Sequence, residues 1–292
     1  YQLVDNPQTW LDQADLVFID PVGTGYSRAS KPDLGKKFWG VEGDLESVGE
    51  FIRLYLTRYQ RWSSPLFLVG ESYGTTRAAG LSGYLVDKGI AFNGILLVSS
   101  ILNFETARFV RGNELPYSLY LPTYTATAWY HKRLPADLQS RDLKSVLDEA
   151  EAWSAGDYAR FLALGGDATR EQRTAALDRL ARYTGLERRY LDLSDLRVPI
   201  QNFCKELMRS ERRTVGRLDS RFTGVDDRVV SETPEFDPSM AAIRPPYTAM
   251  FNQYVRAELG YKTDLTYHIL GGGIGPWDWG SAGSGFADVS GA

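Results

Sequence analysis

The sequence holds one cysteine, Cys204, and two histidines, His131 and His268, among 292 residues. One thiol excludes an internal disulfide, and two imidazoles leave too few ligands for a typical zinc site. No apolar run approaches the ~18 residues that a membrane-spanning helix requires. Nor is there an excess of positive charge: the formal net charge is −4, which implies no general affinity for nucleic acid or anionic membrane. The chain opens at Tyr1 without a signal-peptide pattern and ends in Gly- and Ser-containing sequence, so it reads as an internal piece of a longer protein. A missing leader then carries no information about location. No repeat or disorder-length low-complexity tract is present. The balance of 43% hydrophobic and 24% charged residues is that of an ordinary globular chain.

What is present alternates. Asp15-Leu16-Val17-Phe18-Ile19-Asp20 is a short apolar run closed by the turn signal Pro21-Val22-Gly23-Thr24-Gly25 and reads as a strand. Leu45, Val48, Ile52, Tyr55 and Tyr59 follow at helical spacing, which predicts an amphipathic helix over 43–60. Leu66-Phe67-Leu68-Val69 and Gly94-Ile95-Leu96-Leu97-Val98 are further strand signatures, separated by a small-residue helix running to about Lys88. Strands apolar on both faces that alternate with helices imply a parallel sheet covered by helices, an α/β class. From Leu102 the texture becomes Arg-, Ala- and Leu-rich at helical spacing with no convincing strand, a helical insertion over 102–216. Residues 217–292 form a loop-rich return segment (Pro234, Pro238, Pro245, Pro246), with a helix near Tyr247–Leu259 and a short strand at Tyr267–Leu270.

The chemical signal is Gly70-Glu71-Ser72-Tyr73-Gly74. A Gly-x-Ser-x-Gly string alone is weak, but this one follows four strand-forming residues and precedes a helix, the setting of a nucleophile elbow. The two glycines allow a sharp strand-to-helix turn, Ser72 sits at the sheet's C-terminal edge, and the Tyr73 N–H can donate to an oxyanion.

These residues resemble the elbow of the serine carboxypeptidases, which are α/β-hydrolases with a helical insertion. The resemblance extends to Asn6-Pro7, Trp10 and Phe18-Ile19-Asp20-Pro21-Val22-Gly23-Thr24-Gly25-Tyr26-Ser27, although many members place one more residue between the Asp and the Pro. Trp277-Asp278-Trp279 also looks like the family. The resemblance implies an α/β-hydrolase-type, mostly parallel sheet with core 1–101, lid 102–216 and an incomplete return segment 217–292 whose last strands are missing. It implies release of one C-terminal residue from a peptide through an acyl-enzyme, with Ser72 as nucleophile and Tyr73 giving one oxyanion-hole N–H. Glu71, with Gly70 beside it, corresponds to the residue that hydrogen-bonds the substrate's terminal carboxylate. Two carboxyl groups pair only when one carries a proton, so such a site favours acidic pH. The alternative for Glu71 is a structural acid at a helix N-terminus. The resemblance further implies that no metal or organic cofactor takes part and that the protein is exported to a periplasm or medium. The lone cysteine departs from disulfide-rich eukaryotic members and points to a bacterial one.

A serine nucleophile needs a base and an orienting carboxylate, which in this fold follow in the order Ser, Asp, His. The resemblance places both beyond Ala292 and the Gly-rich oxyanion motif before Tyr1, so the chain alone is expected to be inactive. His268 lies inside an apolar run, with only Asp226, Asp227, Asp237 and Asp264 as orienters, and reads as a strand or core histidine. His131, amid Tyr124, Trp129 and Tyr130, reads as insertion packing rather than a catalytic base, while the insertion aromatics Tyr117, Tyr120, Tyr124, Trp129 and Tyr130 fit core packing or an acyl-side pocket equally well. The arginines of 209–217 fit an anion site or, with their acidic neighbours and helical spacing, a solvated face, which is the reading preferred. The glycines from Gly271 to Gly275 run into Pro276 and loop rather than forming a dinucleotide fingerprint. Two rivals remain: an esterase or acyltransferase on the same fold, or a non-catalytic peptide-binding relative.

Overall fold

The structure, a computed structural model, describes residues 1–270, 274–280 and 287–292. The glycines 271–273, read above as loop, and residues 281–286 of the return segment lie outside them. Two compact units are present: Tyr1–Glu105 with Thr248–Ala292, and Thr106–Tyr247.

In the first unit, α1 (Val41–Arg58) leads to β1 (Phe67–Glu71), α2 (Tyr73–Val86) and β2 (Gly94–Val98). Along α1, Val48, Ile52 and Leu56 recur every four residues, forming one apolar stripe. That stripe packs with Leu81 and Leu85 of α2, Ile90, and Leu68 of β1. The strands run parallel in the register Phe67↔Gly94 to Glu71↔Val98, as the βαβ pattern predicts. Burial on both faces does not hold, however. Phe67 and Val69 point away from the cluster and are exposed, as are Ile95–Val98 of β2. Among the described residues this sheet has two strands, and the helices cover only the Leu68 side.

Two expected strands are absent. Asp15–Asp20 has no ladder partner among the described residues, and Phe18 is 90% exposed. Tyr267–Leu270 makes one isolated bridge, His268 with Gly25, closed by Gly25 N–H to His268 O at 3.0 Å and His268 N–H to Gly25 O at 2.9 Å. An apolar run becomes a strand only where a neighbour supplies the other half of its hydrogen bonds.

The second unit contains α3 (Leu115–Tyr130), α4 (Ala136–Gln139), α5 (Leu143–Trp153), α6 (Ala159–Leu164), α7 (Arg170–Thr184), α8 (Arg188–Leu193) and α9 (Ile200–Glu206). Its core holds Leu121, Tyr124 and Ala128 of α3 with Val146 and Trp153 of α5, Leu180 and Tyr183 of α7, and Phe203 of α9. Tyr124 stacks on Phe203 at 4.1 Å and its hydroxyl donates to Val198 O, so this insertion aromatic is core. A capping box starts α7: Thr169 Oγ1 accepts Gln172 N–H, and Gln172 Oε1 accepts Thr169 N–H.

The absence of strands from the insertion needs correction. A hairpin of β3 (Arg213–Val215) and β4 (Thr223–Val225) pairs Arg213 with Val225 and Val215 with Thr223. Arg209 and Arg213 therefore do not share a solvated helical face. Arg209 bonds Glu206 and the Val229 and Ser231 carbonyls, and Arg213 bonds Thr223. The expected helix near Tyr247 begins earlier, as α10 (Pro238–Gln253). Pro238 occupies its first position, where a missing N–H costs nothing, and Asp237 Oδ1 accepts Ser239 N–H at 2.9 Å. Pro245 and Pro246, read as loop, lie inside it.

Candidate active site

β1 ends at Glu71, α2 begins at Tyr73, and Ser72 alone makes the turn with φ +52° and ψ −122°. That conformation costs a non-glycine residue on the order of 1–3 kcal/mol and persists only when its surroundings hold it. They do so through the backbone: Ser72 N–H donates to Val98 O at 3.0 Å, and Thr75 N–H donates to Ser72 O at 2.9 Å. The buried Thr75 hydroxyl lies 2.7 Å from Ser72 O and accepts Ile101 N–H at 2.9 Å. Thr76 Oγ1 donates to Ile101 O at 2.7 Å. The start of α2 is thus tied to the segment after β2.

The two glycines of the motif are not equivalent. A Cβ on Gly70 would stand 2.0 Å from Gly74 O and 2.8 Å from Thr75 N, so the first turn of α2 occupies the space any side chain would need. A Cβ on Gly74 meets nothing within 4 Å. Steric need for glycine therefore falls on Gly70 alone, which corrects the paired role expected from sequence.

Ser72 is exposed, and its hydroxyl has no hydrogen-bond partner among the described residues. The same holds for the exposed Glu71 carboxylate, opposite Val98 in the ladder. Tyr73 N–H is a first-turn donor without an intrahelical acceptor, at the positive end of the helix dipole, where a developing oxyanion is stabilised. The Tyr73 ring meets Trp277 edge-on at 5.0 Å, with Trp279 and Phe104 each at 6.3 Å. The sequence marked the Trp277-Asp278-Trp279 string but not this contact. Backbone bonds hold it in place: Asp278 N–H donates to Trp39 O at 2.9 Å and Val41 N–H to Asp278 O at 3.0 Å.

Beneath the elbow Arg77 lies 5.2 Å from the Tyr73 ring centre and pairs with Asp44 of α1 at 2.7 and 3.1 Å. The Asp44 side chain is 3% exposed, and burial pushes its carboxyl above the usual range against the opposing pull of Arg77. Burial, then the Asp44 charge, raises the Tyr73 phenol. The Tyr73 ring is therefore neutral.

The Asp20–Ser27 loop is held by its own carboxylate. Asp20 accepts Tyr26 N–H at 3.0 Å and Tyr267 O–H at 3.2 Å. Gly25, at φ +49°, brings its backbone so close that a Cβ would overlap that carboxylate. Burial and Asp20 push the Tyr267 phenol up to about 12.

Neither histidine hydrogen-bonds Ser72 among the described residues. His268 is half-buried with Nδ1 3.4 Å from Gly23 O, and His131 Nε2 is 2.6 Å from Ser220 O. Of the candidate orienters, Asp226 accepts from Lys205 Nζ at 2.6 Å and Asp237 is engaged with Ser239. Among the described residues no cluster of three or more His, Cys, Asp and Glu side chains could hold a metal, and no helix is long and apolar enough to cross a membrane.

A model of the serine carboxypeptidase family matches residues 1–157. Carboxypeptidase sxa2 of Schizosaccharomyces pombe is 26% identical over 133 residues, 43% of this chain and 24% of that protein. Serine carboxypeptidase-like 51 of Arabidopsis thaliana is 37% identical over 86 residues, 27% of this chain and 18% of that protein. The retinoid-inducible serine carboxypeptidase of Mus musculus is 34% identical over 87 residues, 28% of this chain and 18% of that protein. The chain spans about a quarter or less of the length of these curated relatives. They are fungal, plant and murine and lend no support to the bacterial origin inferred from the single cysteine. No solved structure matches.

Proposed function

The chain belongs to the serine carboxypeptidase family, and from that premise we propose that it carries the nucleophile and the carboxylate-recognition residue of a serine-type carboxypeptidase. The observation that carries this reading is Ser72, exposed, unbonded among the described residues and held at φ +52° between β1 and α2. Ser72 Oγ attacks the carbonyl carbon of the last peptide bond while its proton passes to a base. The oxyanion accepts Tyr73 N–H, and the base returns the proton to the amide nitrogen as the C–N bond breaks and the terminal amino acid leaves. Water, giving a proton through the same base to Ser72 Oγ, then releases the acyl group as a carboxylic acid. The base and its orienting carboxylate are assigned to segments outside residues 1–292, a reading supported by His268, which makes no hydrogen bond to Ser72 among the described residues. The chain by itself is then inactive toward peptides.

Glu71 distinguishes a carboxypeptidase from an esterase or acyltransferase, since only a peptide acid offers a terminal carboxylate to share a proton with it. Residues 102–216 are proposed as a helical lid on an α/β-hydrolase core at 1–101, with 217–292 returning to that core. Export is proposed on family likeness alone.

The test is kcat/KM against pH in the full-length protein, for an N-blocked dipeptide acid and its amide, in wild type and Glu71→Gln. Acid turnover should fall toward neutral pH in wild type and flatten in Glu71→Gln, while the amide is scarcely affected. Parallel loss of both substrates, or an equal effect of the substitution on both, makes Glu71 a structural residue and favours the esterase.

A further inference from the structure

The second unit contains a cavity of about 330 Å³ lined by Gln201, Val215, Arg217, Phe236, Asp237 and Met240, among others. Val215 is buried in β3, so one wall is apolar and fixed. Two residues of opposite charge, Arg217 and Asp237, line the same space without pairing with each other. Arg217 has no hydrogen-bond or ion-pair partner among the described residues, whereas its neighbours Arg209 and Arg213 are committed to Glu206 and Thr223. Asp237 uses only Oδ1, which accepts Ser239 N–H at 2.9 Å, Ser239 O–H at 2.5 Å and Met240 N–H at 3.4 Å, leaving Oδ2 without a partner among the described residues. Both charges act on the buried Cys204 thiol, so they flank one region of the hairpin and α9.

We propose that this cavity binds a free α-amino acid with an apolar side chain. The carboxylate pairs with Arg217, the ammonium with Asp237, and the side chain packs against Phe236, Met240 and Val215. An anion alone leaves Asp237 unanswered and a cation alone leaves Arg217 so, while a zwitterion satisfies both and places its carbon chain on the apolar wall. Such amino acids are what peptide hydrolysis releases, and only that link rests on the proposed function; binding itself is independent of it.

The test is calorimetric titration of the full-length protein, in a Ser72→Ala background, with L-phenylalanine, N-acetyl-L-phenylalanine and L-phenylalaninamide. Phenylalanine should bind, and each blocked analogue should bind about tenfold or more weakly, since each loses one charged hydrogen bond. Arg217→Gln and Asp237→Asn should each weaken phenylalanine to a similar degree. Arg217 is exposed and Asn also caps helices, so both variants should fold, as thermal melting would check. Arg217→Lys should recover part of the affinity. Absence of phenylalanine binding, equal binding by the variants, or equal binding of the acetylated form overturns the proposal. Loss of binding in Glu71→Gln does the same, because the ligand would then occupy the peptide site.

Discussion

Gly70 and Gly74 face each other across the turn that carries Ser72, so closely that a Cβ on Gly70 would lie 2.0 Å from the Gly74 carbonyl oxygen. Gly70→Ala must displace the first turn of α2 and should destabilise the protein by at least about 1–3 kcal/mol, the usual cost of overpacking. Gly74→Ala adds a methyl to open space in a helix and should stabilise by up to about 1 kcal/mol. Chemical denaturation of the two variants measures the difference. Equal losses in both would mean that the tight approach at Gly70 does not decide the turn.

The threonines behind Ser72 hold its strained backbone. Thr76→Val removes the donor to Ile101 O and should cost about 1–2 kcal/mol; Thr75→Val, which also strands the Ile101 N–H, should cost more. In the full-length protein Thr75→Val should lower kcat with little change in KM, because it loosens Ser72, the proposed nucleophile, rather than a substrate contact. Unchanged stability and unchanged kcat would remove Thr75 from the account.

Much of this region was legible in the sequence because its signals are local. The four-residue spacing of Val48, Ile52 and Leu56 marked α1, and two short apolar runs around a small-residue helix marked the βαβ unit. What escaped depended on partners far along the chain. Leu16–Ile19 is as apolar as β1, yet lacks a neighbour among the described residues and stays irregular. β3 and β4 are each three residues long and include Arg213 and Gly224, too short for a period-two pattern. Pro245 and Pro246 argued for loop but lie in α10, where Pro238 and Asp237 had already started the helix. At the site, the elbow was visible as a string, whereas the Arg77–Asp44 pair and the Tyr73–Trp277 contact join residues 33 and 204 positions apart.

Lys205 and Asp226 form an ion pair whose side chains are each 2% exposed, with Lys205 also donating to Arg228 O at 2.6 Å. Asp226 Oδ1 has no partner among the described residues. Lys205→Met leaves that carboxylate buried and uncompensated and should cost about 3–5 kcal/mol. Lys205→Met with Asp226→Leu should recover most of the loss. A double variant as unstable as the single would show that the Lys205 bond to Arg228 O, not the ion pair, dominates.

Glu149 gives the second unit a dependence on acid. Its carboxylate accepts from Arg141 at 2.6 Å and from the Tyr183 hydroxyl at 2.7 Å, and these bonds, the Arg141 one first, hold it below its ordinary value of 4.5. A depressed carboxylate contributes stability that is complete above the unfolded value and is lost as pH falls through the folded one. The melting temperature should therefore fall as pH drops below about 4.5. Glu149→Gln should flatten that decline, and identical profiles for wild type and variant would exclude Glu149 as its source.

The central claim is that Ser72 is the nucleophile, and covalent labelling of the full-length protein with a serine-reactive phosphonate, mapped by mass spectrometry, tests it most directly. The account predicts one modified residue, Ser72, no labelling of Ser72→Ala, and a ~10⁴–10⁶-fold loss of kcat in that variant. Labelling at another serine, or peptide turnover by Ser72→Ala within tenfold of wild type, would contradict it.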